Sequence, residues 1–109
     1  ADRLAQVVTN LVGNAIRATP SGGSVVVSVE RTGATASISV TDTGEGLASE
    51  DLERVFERFY RVPGRRGGDG SGIGLTIARR IIRAHGGDLI ARSEGPGRGS
   101  TFIATLPAR

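Results

Sequence analysis

Val25-Val26-Val27-Ser28-Val29-Glu30-Arg31-Thr32-Gly33-Ala34-Thr35-Ala36-Ser37-Ile38-Ser39-Val40-Thr41-Asp42 reads twice in the same way. Val25, Val27 and Val29, then Ala36, Ile38 and Val40, alternate with small polar residues, the period of a half-buried strand. Thr32-Gly33-Ala34 between the two runs predicts a hairpin. Upstream, Leu4, Val8, Leu11 and Ala15 recur at helical spacing from Asp2 to about Ala18, and Thr19-Pro20-Ser21-Gly22-Gly23 stops that helix. Downstream, Asp42-Thr43-Gly44-Glu45-Gly46 is a turn. Ser49-Glu50-Asp51-Leu52 has the form of a capped helix start, with Ser49 as cap and acids in the first turn.

Residues 62–72 hold Pro63 and five glycines without periodicity and read as a loop. Ile73 to about Ala84 predicts a second long helix, stopped by Gly86-Gly87. Two further strands, 88–92 and 101–106, flank the turn Gly95-Pro96-Gly97-Arg98-Gly99. Hairpins with helices between them predict an α+β, two-layer sandwich with a mostly antiparallel sheet, rather than a parallel βαβ sheet.

The chain has 109 residues, the size of one domain spanning 1–109. With 4% aromatic residues, its core must come from Val, Ile, Leu and Ala. A net charge of +3, mostly from arginine, suits anionic partners such as nucleotide phosphates, though arginine replacing lysine at large would give the same balance. No basic stretch is interleaved with aromatics, so a nucleic-acid partner is not expected. The absence of cysteine excludes disulfides and thiolate metal sites, and no apolar run approaches membrane-spanning length. The chain starts without Met and enters a helix almost at once, which reads as a piece of a longer protein.

Three features carry chemistry. Asn10, Asn14 and Arg17 share a helix face away from the apolar stripe, offering amide oxygens to a hard cation and a guanidinium fork to phosphate. A solvated helix face would read the same way. Asp42 ends a strand; its carboxylate can select an exocyclic amine such as that of adenine, while Gly44 and Gly46 would let a flat ring approach the backbone. A plain acidic turn is the alternative. Gly70-Ser71-Gly72-Ile73-Gly74-Leu75 feeds glycine-rich backbone into a helix N-terminus, a place for anions. No strand precedes it, which excludes a dinucleotide fingerprint, and no Gly-x-x-x-x-Gly-Lys-Ser/Thr phosphate loop is present.

Taken in order, these features resemble the ATP-binding domain of bacterial sensor histidine kinases, whose superfamily also holds gyrase and MutL ATPases. Asn10-Leu11-Val12-Gly13-Asn14-Ala15-Ile16-Arg17 is similar to its N box and Asp42-Thr43-Gly44-Glu45-Gly46-Leu47 to its first glycine box. Phe56-Glu57-Arg58-Phe59-Tyr60-Arg61 resembles its F box, Gly70–Leu75 its second glycine box, and Gly97-Arg98-Gly99-Ser100-Thr101-Phe102 its last glycine motif.

The resemblance covers Asp2 to Leu106. It implies the Bergerat fold, a mixed, mostly antiparallel sheet covered on one face by helices, and it implies ATP and Mg²⁺ as cofactors. Asn14 would hold Mg²⁺ with Asn10 in support, Arg17 would contact phosphate, and Asp42 would accept from the adenine amine between Gly44 and Gly46. Residues 62–71 would lie over the nucleotide, with Gly70, Gly72, Gly74 and Leu75 closing on the phosphates. Arg61 would reach the γ-phosphate or a partner domain, and Thr101 would assist adenine binding. Asn10, Arg17 and Arg61 are thus the implied catalytic set.

Three departures stand out: Ala18 where the family has Tyr or His, a short arginine-rich lid (Arg65-Arg66), and no strand and helix ahead of the N box. His85, at a helix end before Gly86-Gly87, is structural in the family rather than the phosphoacceptor, which sits in a separate helical dimerisation domain. Phe56 and Phe59 are expected in the core and as an anchor for the lid.

The function so implied is transfer of the γ-phosphoryl group of Mg-ATP to that histidine, with a response regulator downstream. The parent would be a membrane sensor with this domain in the cytoplasm, and the chain alone a monomer. The alternatives are a gyrase-like ATPase, an anti-sigma serine kinase or a non-catalytic nucleotide- or protein-binding module. The first two carry a Glu four residues before the metal-binding Asn; here that position is Asn10, whose amide is no general base.

Overall fold

The structure is a computed structural model, which describes residues 2–58, 60 and 74–108. Helix α1 (Asp2–Ala18) is followed by strands β1 (Val25–Thr32) and β2 (Thr35–Asp42), two short 3-10 turns, helix α2 (Gly74–Ala84), and strands β3 (Asp88–Arg92) and β4 (Ser100–Pro107). The sheet order is β1-β2-β4-β3. Among the described residues all three pairings are antiparallel, where the resemblance implied a mixed sheet.

The register explains where the core sits. Residues directly opposite on antiparallel strands share a face, so Val40, Phe102 and Ala91 line up on one side, as do Ile38, Ala104 and Leu89. Both helices pack on that side, giving a cluster with Val7, Leu11 and Ala15 from α1 and Ala78, Ile81 and Ile82 from α2. The other face carries Thr41, Ser39, Ser37, Thr101 and Thr105, as a sheet covered on one side should. With so few aromatics, Phe56 and Phe102 meet edge to face at 6.1 Å in the middle of an otherwise aliphatic core.

Three details differ from the sequence reading. The buried stripe of α1 runs through Val7, 1% exposed, while Val8 is only half-buried, because the stripe advances by three residues and then four from Leu4. Strand β1 is not half-buried: Val27 and Val29 face the helix side by register, yet they are 46% and 74% exposed. As the edge strand it lies beyond the reach of α1, which covers only Val25 at its start.

The segment after Ala48 is not a capped α-helix but two 3-10 turns, Ser49–Asp51 and Arg54–Phe56. Ala48, not Ser49, holds the cap position, and no side chain caps it.

α2 stops as its glycines predict. Gly86 takes φ +87°, and the amides of Gly86 and Gly87 reach back to the carbonyls of Arg83 and Ile82, the paired closure of a glycine-ended helix. His85 Nδ1 lies 2.8 Å from the Ile81 carbonyl, so the proton on Nδ1 is spent inside this helix end. An ionic chain pins the opposite flank of α2. Arg79 gives two bonds to Glu53 (2.8 and 3.0 Å) and lies 4.2 Å above the Phe56 ring. Asp88 accepts from Arg83 (2.9 Å), Arg79 (3.3 Å) and the Leu89 amide (2.8 Å). Chiefly because of Arg83, the Asp88 carboxyl is held down at about 2.

Leu11→Ala is expected to cost about 2–5 kcal/mol by emptying a fully buried site, and Val29→Thr on the exposed edge less than about 0.5 kcal/mol; urea denaturation measures both. The depressed Asp88 carboxyl stabilises the fold above its unfolded value of 3.8, and that contribution is lost as pH falls from there through about 2. Denaturation midpoints between pH 5 and 2 should therefore fall less steeply in Asp88→Asn than in the parent.

Candidate functional site

The site forms where β2 ends. Alternation along β2 turns Val40 and Asp42 to the helix side, and Asp42 is 3% exposed. A buried carboxylate needs hydrogen bonds, and the register supplies them by placing Ser100 directly opposite. Asp42 Oδ1 accepts from the amides of Gly44 (2.9 Å) and Ser100 (3.2 Å), and Oδ2 accepts from the Ser100 hydroxyl (2.9 Å). A carboxylate has about four acceptor positions, so its orientation is fixed and Oδ2 retains capacity for one more donor.

The glycines around it answer to protein backbone. A Cβ on Gly44 would lie 2.1 Å from the Ala18 carbonyl oxygen, and one on Gly46, at φ +69°, 2.2 Å from that of Gly95. The two glycines let α1 and the 95–99 turn close on the loop after β2. Backbone bonds seal both contacts: Glu45 N–H to Ala18 (3.0 Å), Gly97 N–H to Glu45 (2.7 Å) and Gly99 N–H to Gly44 (3.1 Å).

Those contacts hold the C-terminal end of α1 against the loop after β2, and Asn14 lies about one turn before Ala18 on that helix. Among the described residues the Asn14 Nδ2 atom is buried with no hydrogen-bond partner, an uncommon state for an amide N–H and one that an acceptor oxygen of a ligand would relieve. Arg17 is exposed on the same helix. Asn10 is engaged differently: its Nδ2 donates to the Gly74 carbonyl at 3.1 Å, tying α1 to the first residue of α2. Leu75 packs against the core.

Thr101 is turned away. Its hydroxyl pairs with Thr41 at 3.2 Å on the outer face of the sheet, and Ser100 is the hydroxyl that meets Asp42. Thr101, expected to assist adenine binding, thus lies on the outer face, one position after the hydroxyl that meets Asp42. Counting inward from buried Phe102 at the strand period of two would have found Ser100. Ser93, which joins the two glycine turns, had no sequence signal beyond being a serine after a strand. Arg61, Gly70 and Gly72, together with the 62–71 lid and Phe59, lie outside the described residues.

Phe56 is core, 6% exposed, and its carbonyl accepts from Thr76 (2.7 Å). Tyr60 donates its hydroxyl to Asp51, whose carboxylate holds the phenol above its ordinary range. Among the described residues no three His, Cys, Asp or Glu side chains cluster to hold a metal. A cation here would rest on the Asn14 amide oxygen and on phosphate and water oxygens, the last two being usual partners of Mg²⁺. Among the described residues, too, no helix is long and apolar enough to cross a membrane.

The chain belongs to the family of histidine kinase-, DNA gyrase B- and HSP90-like ATPases, whose model matches residues 1–109. Within that family its relatives are sensor histidine kinases, which makes it their catalytic ATP-binding domain. It is 43% identical over 108 residues to the sensor protein SrrB of Staphylococcus aureus, covering 97% of this chain and 18% of SrrB. The mycobacterial sensor histidine kinase MprB superposes with a TM-score of 0.91 at 33% identity, covering 99% of this chain and 74% of that structure. Full-length ShkA in complex with AMPPNP gives 0.83 at 34% identity, over 96% of this chain and 21% of that one.

Ser100→Ala should lower unfolding stability by about 1–3 kcal/mol, since it strips a donor from a buried carboxylate. Thr101→Val, on the outer face, should stay within about 0.5 kcal/mol. Equal costs in urea denaturation would contradict the assigned orientation.

Proposed function

We propose that this chain binds Mg-ATP and donates its γ-phosphoryl group to a histidine on a separate dimerisation domain of a two-component sensor kinase. The observation that carries the reading is the Asp42 carboxylate: buried, fixed by Gly44 and Ser100, and left with acceptor capacity. Carboxylate oxygens accept and do not donate, which selects the adenine amine over a ring carbonyl in the same place. Asn14 would hold the Mg²⁺ that neutralises charge on the phosphates. Arg17, exposed on the same helix, would grip a phosphate oxygen, and Arg61 would do so from the F box.

What remains for the protein is positioning and charge neutralisation, which suffice for phosphoryl transfer. A neutral imidazole nitrogen attacks the γ-phosphorus, and the bond to the β-phosphate oxygen breaks to release ADP. A water-splitting reaction would want a carboxylate base at position 10. The residue there is Asn10, and its amide is occupied by the Gly74 carbonyl. The names of the relatives, a sensor protein and sensor histidine kinases, support the same direction of transfer. The parent would carry this domain in the cytoplasm and pass the phosphoryl group to a response regulator; the chain alone would be monomeric and would not bind nucleic acid.

With ATP labelled in the γ position, adding this chain to a histidine-bearing helical domain of the parent should give an acid-labile phosphohistidine. Release of label as free phosphate without histidine labelling would turn the reading toward an ATPase. Asp42→Asn should weaken ATP binding by about 1.5–3 kcal/mol, the worth of a hydrogen bond to a charged group. Asn14→Asp should change the Mg²⁺ concentration needed for binding; an unchanged requirement would move the cation elsewhere.

A further inference from the structure

We infer that Ser93 is a positioning residue for base recognition: its hydroxyl clamps the loop after β2 to the turn before β4, and so sets the direction of the Asp42 carboxylate. The inference rests on the reading that Asp42 receives the adenine amine.

Ser93 directly follows β3, and its Oγ accepts from the amides of Leu47 (3.0 Å) and Gly95 (3.2 Å). It can donate to the carbonyl of Gly99 at 2.7 Å or of Gly95 at 3.2 Å. A hydroxyl has one hydrogen and two lone pairs, and the shorter contact assigns the hydrogen to Gly99. Its capacity is then full, divided between the two loops.

Both loops feed Asp42. Gly44, in the first, donates its amide to Oδ1. Gly99, in the second, immediately precedes Ser100, whose amide and hydroxyl hold the two oxygens. Leu47, 1% exposed, closes the first loop into the core. A change at Ser93 therefore reaches the carboxylate from both sides without touching it. The backbone bonds Gly97 to Glu45 and Gly99 to Gly44 do not involve Ser93, so the loops stay joined without it. What its hydroxyl adds is the exact spacing of the two donors around Asp42.

The test is calorimetric titration of the 109-residue chain with ATP and with GTP, each with and without Mg²⁺, for the parent, S93A, S93T and Asp42→Asn. The parent should prefer ATP. S93A should lose roughly tenfold of that preference, the scale of one net hydrogen bond, while the gain in ATP affinity on adding Mg²⁺ is unchanged. S93T, which carries a hydroxyl on the same carbon, should restore the preference. A role confined to folding would lower both nucleotides and the Mg²⁺ effect alike. If S93A keeps the parent's preference while Asp42→Asn abolishes it, the Ser93 proposal is overturned and the reading of Asp42 stands. If the parent itself shows no preference, the reading of Asp42 falls, and the proposal with it. Should S93A not fold, S93C gives the graded form: an intermediate preference supports the clamp and an unchanged one overturns it.

Discussion

Burying a carboxylate at the end of a strand costs several kcal/mol unless donors meet it, and the surroundings of Asp42 are organised to supply them. The β2–β4 register sets Ser100 opposite Asp42, so both Ser100 donors reach it, and the chain's next turn brings the Gly44 amide to the same oxygen. Gly44 can make that turn only because no side chain stands between it and Ala18, and Gly46 can face Gly95 for the same reason. The loop after β2 therefore meets α1 on one side and the turn before β4 on the other, with Asp42 bonded to both that loop and Ser100.

The rest of the molecule keeps this arrangement rigid from a distance. α2 lies beside α1 over the sheet, joined to it at its first residue by the Asn10 amide and anchored through Thr76 to the Phe56 carbonyl. Its far side is held by Glu53, Arg79, Asp88 and Arg83, a chain of opposite charges across an exposed flank where each pair alone would contribute little. Charge at that flank stabilises packing. Charge at Asp42 is buried, held by three donors and keeps acceptor capacity. The contrast supports the proposal that the chemistry sits at the β2 end.

The sequence made the architecture legible because its periodicities are clean: two alternating runs around Gly33, and two helices bounded by glycine and proline. Within those elements the errors were local. Val8 stood in for Val7 because both fit a loose three-four spacing. The valines of β1 alternate as a buried strand does, and only sheet order reveals an edge strand on which Val27 and Val29 stay exposed. Ser49 and its acids have the chemistry of a cap, yet the following residues form 3-10 turns that begin after Ala48. At the site, Asp42, Asn14 and Asn10 stand out in the sequence by residue type and spacing, and their hydrogen bonding becomes visible only in the fold. Motif matching points to Thr101 and carries no information on which face of β4 it occupies, whereas the structure puts Thr101 outside and Ser100 against Asp42. The reason for Gly44 and Gly46 was invisible too, since Ala18 and Gly95 are distant in sequence, and Ser93 could emerge only from contacts.

The central claim is that a nucleotide base binds at Asp42, and backbone amide chemical shifts of the labelled chain titrated with ATP without metal test it most directly. The account predicts the largest changes at Gly44 and Ser100, whose amides share the carboxylate with the base, and little change along β1. Shifts centred on β1, or on the flank of α2 around Arg79 and Arg83, with Gly44 and Ser100 unmoved, would contradict it.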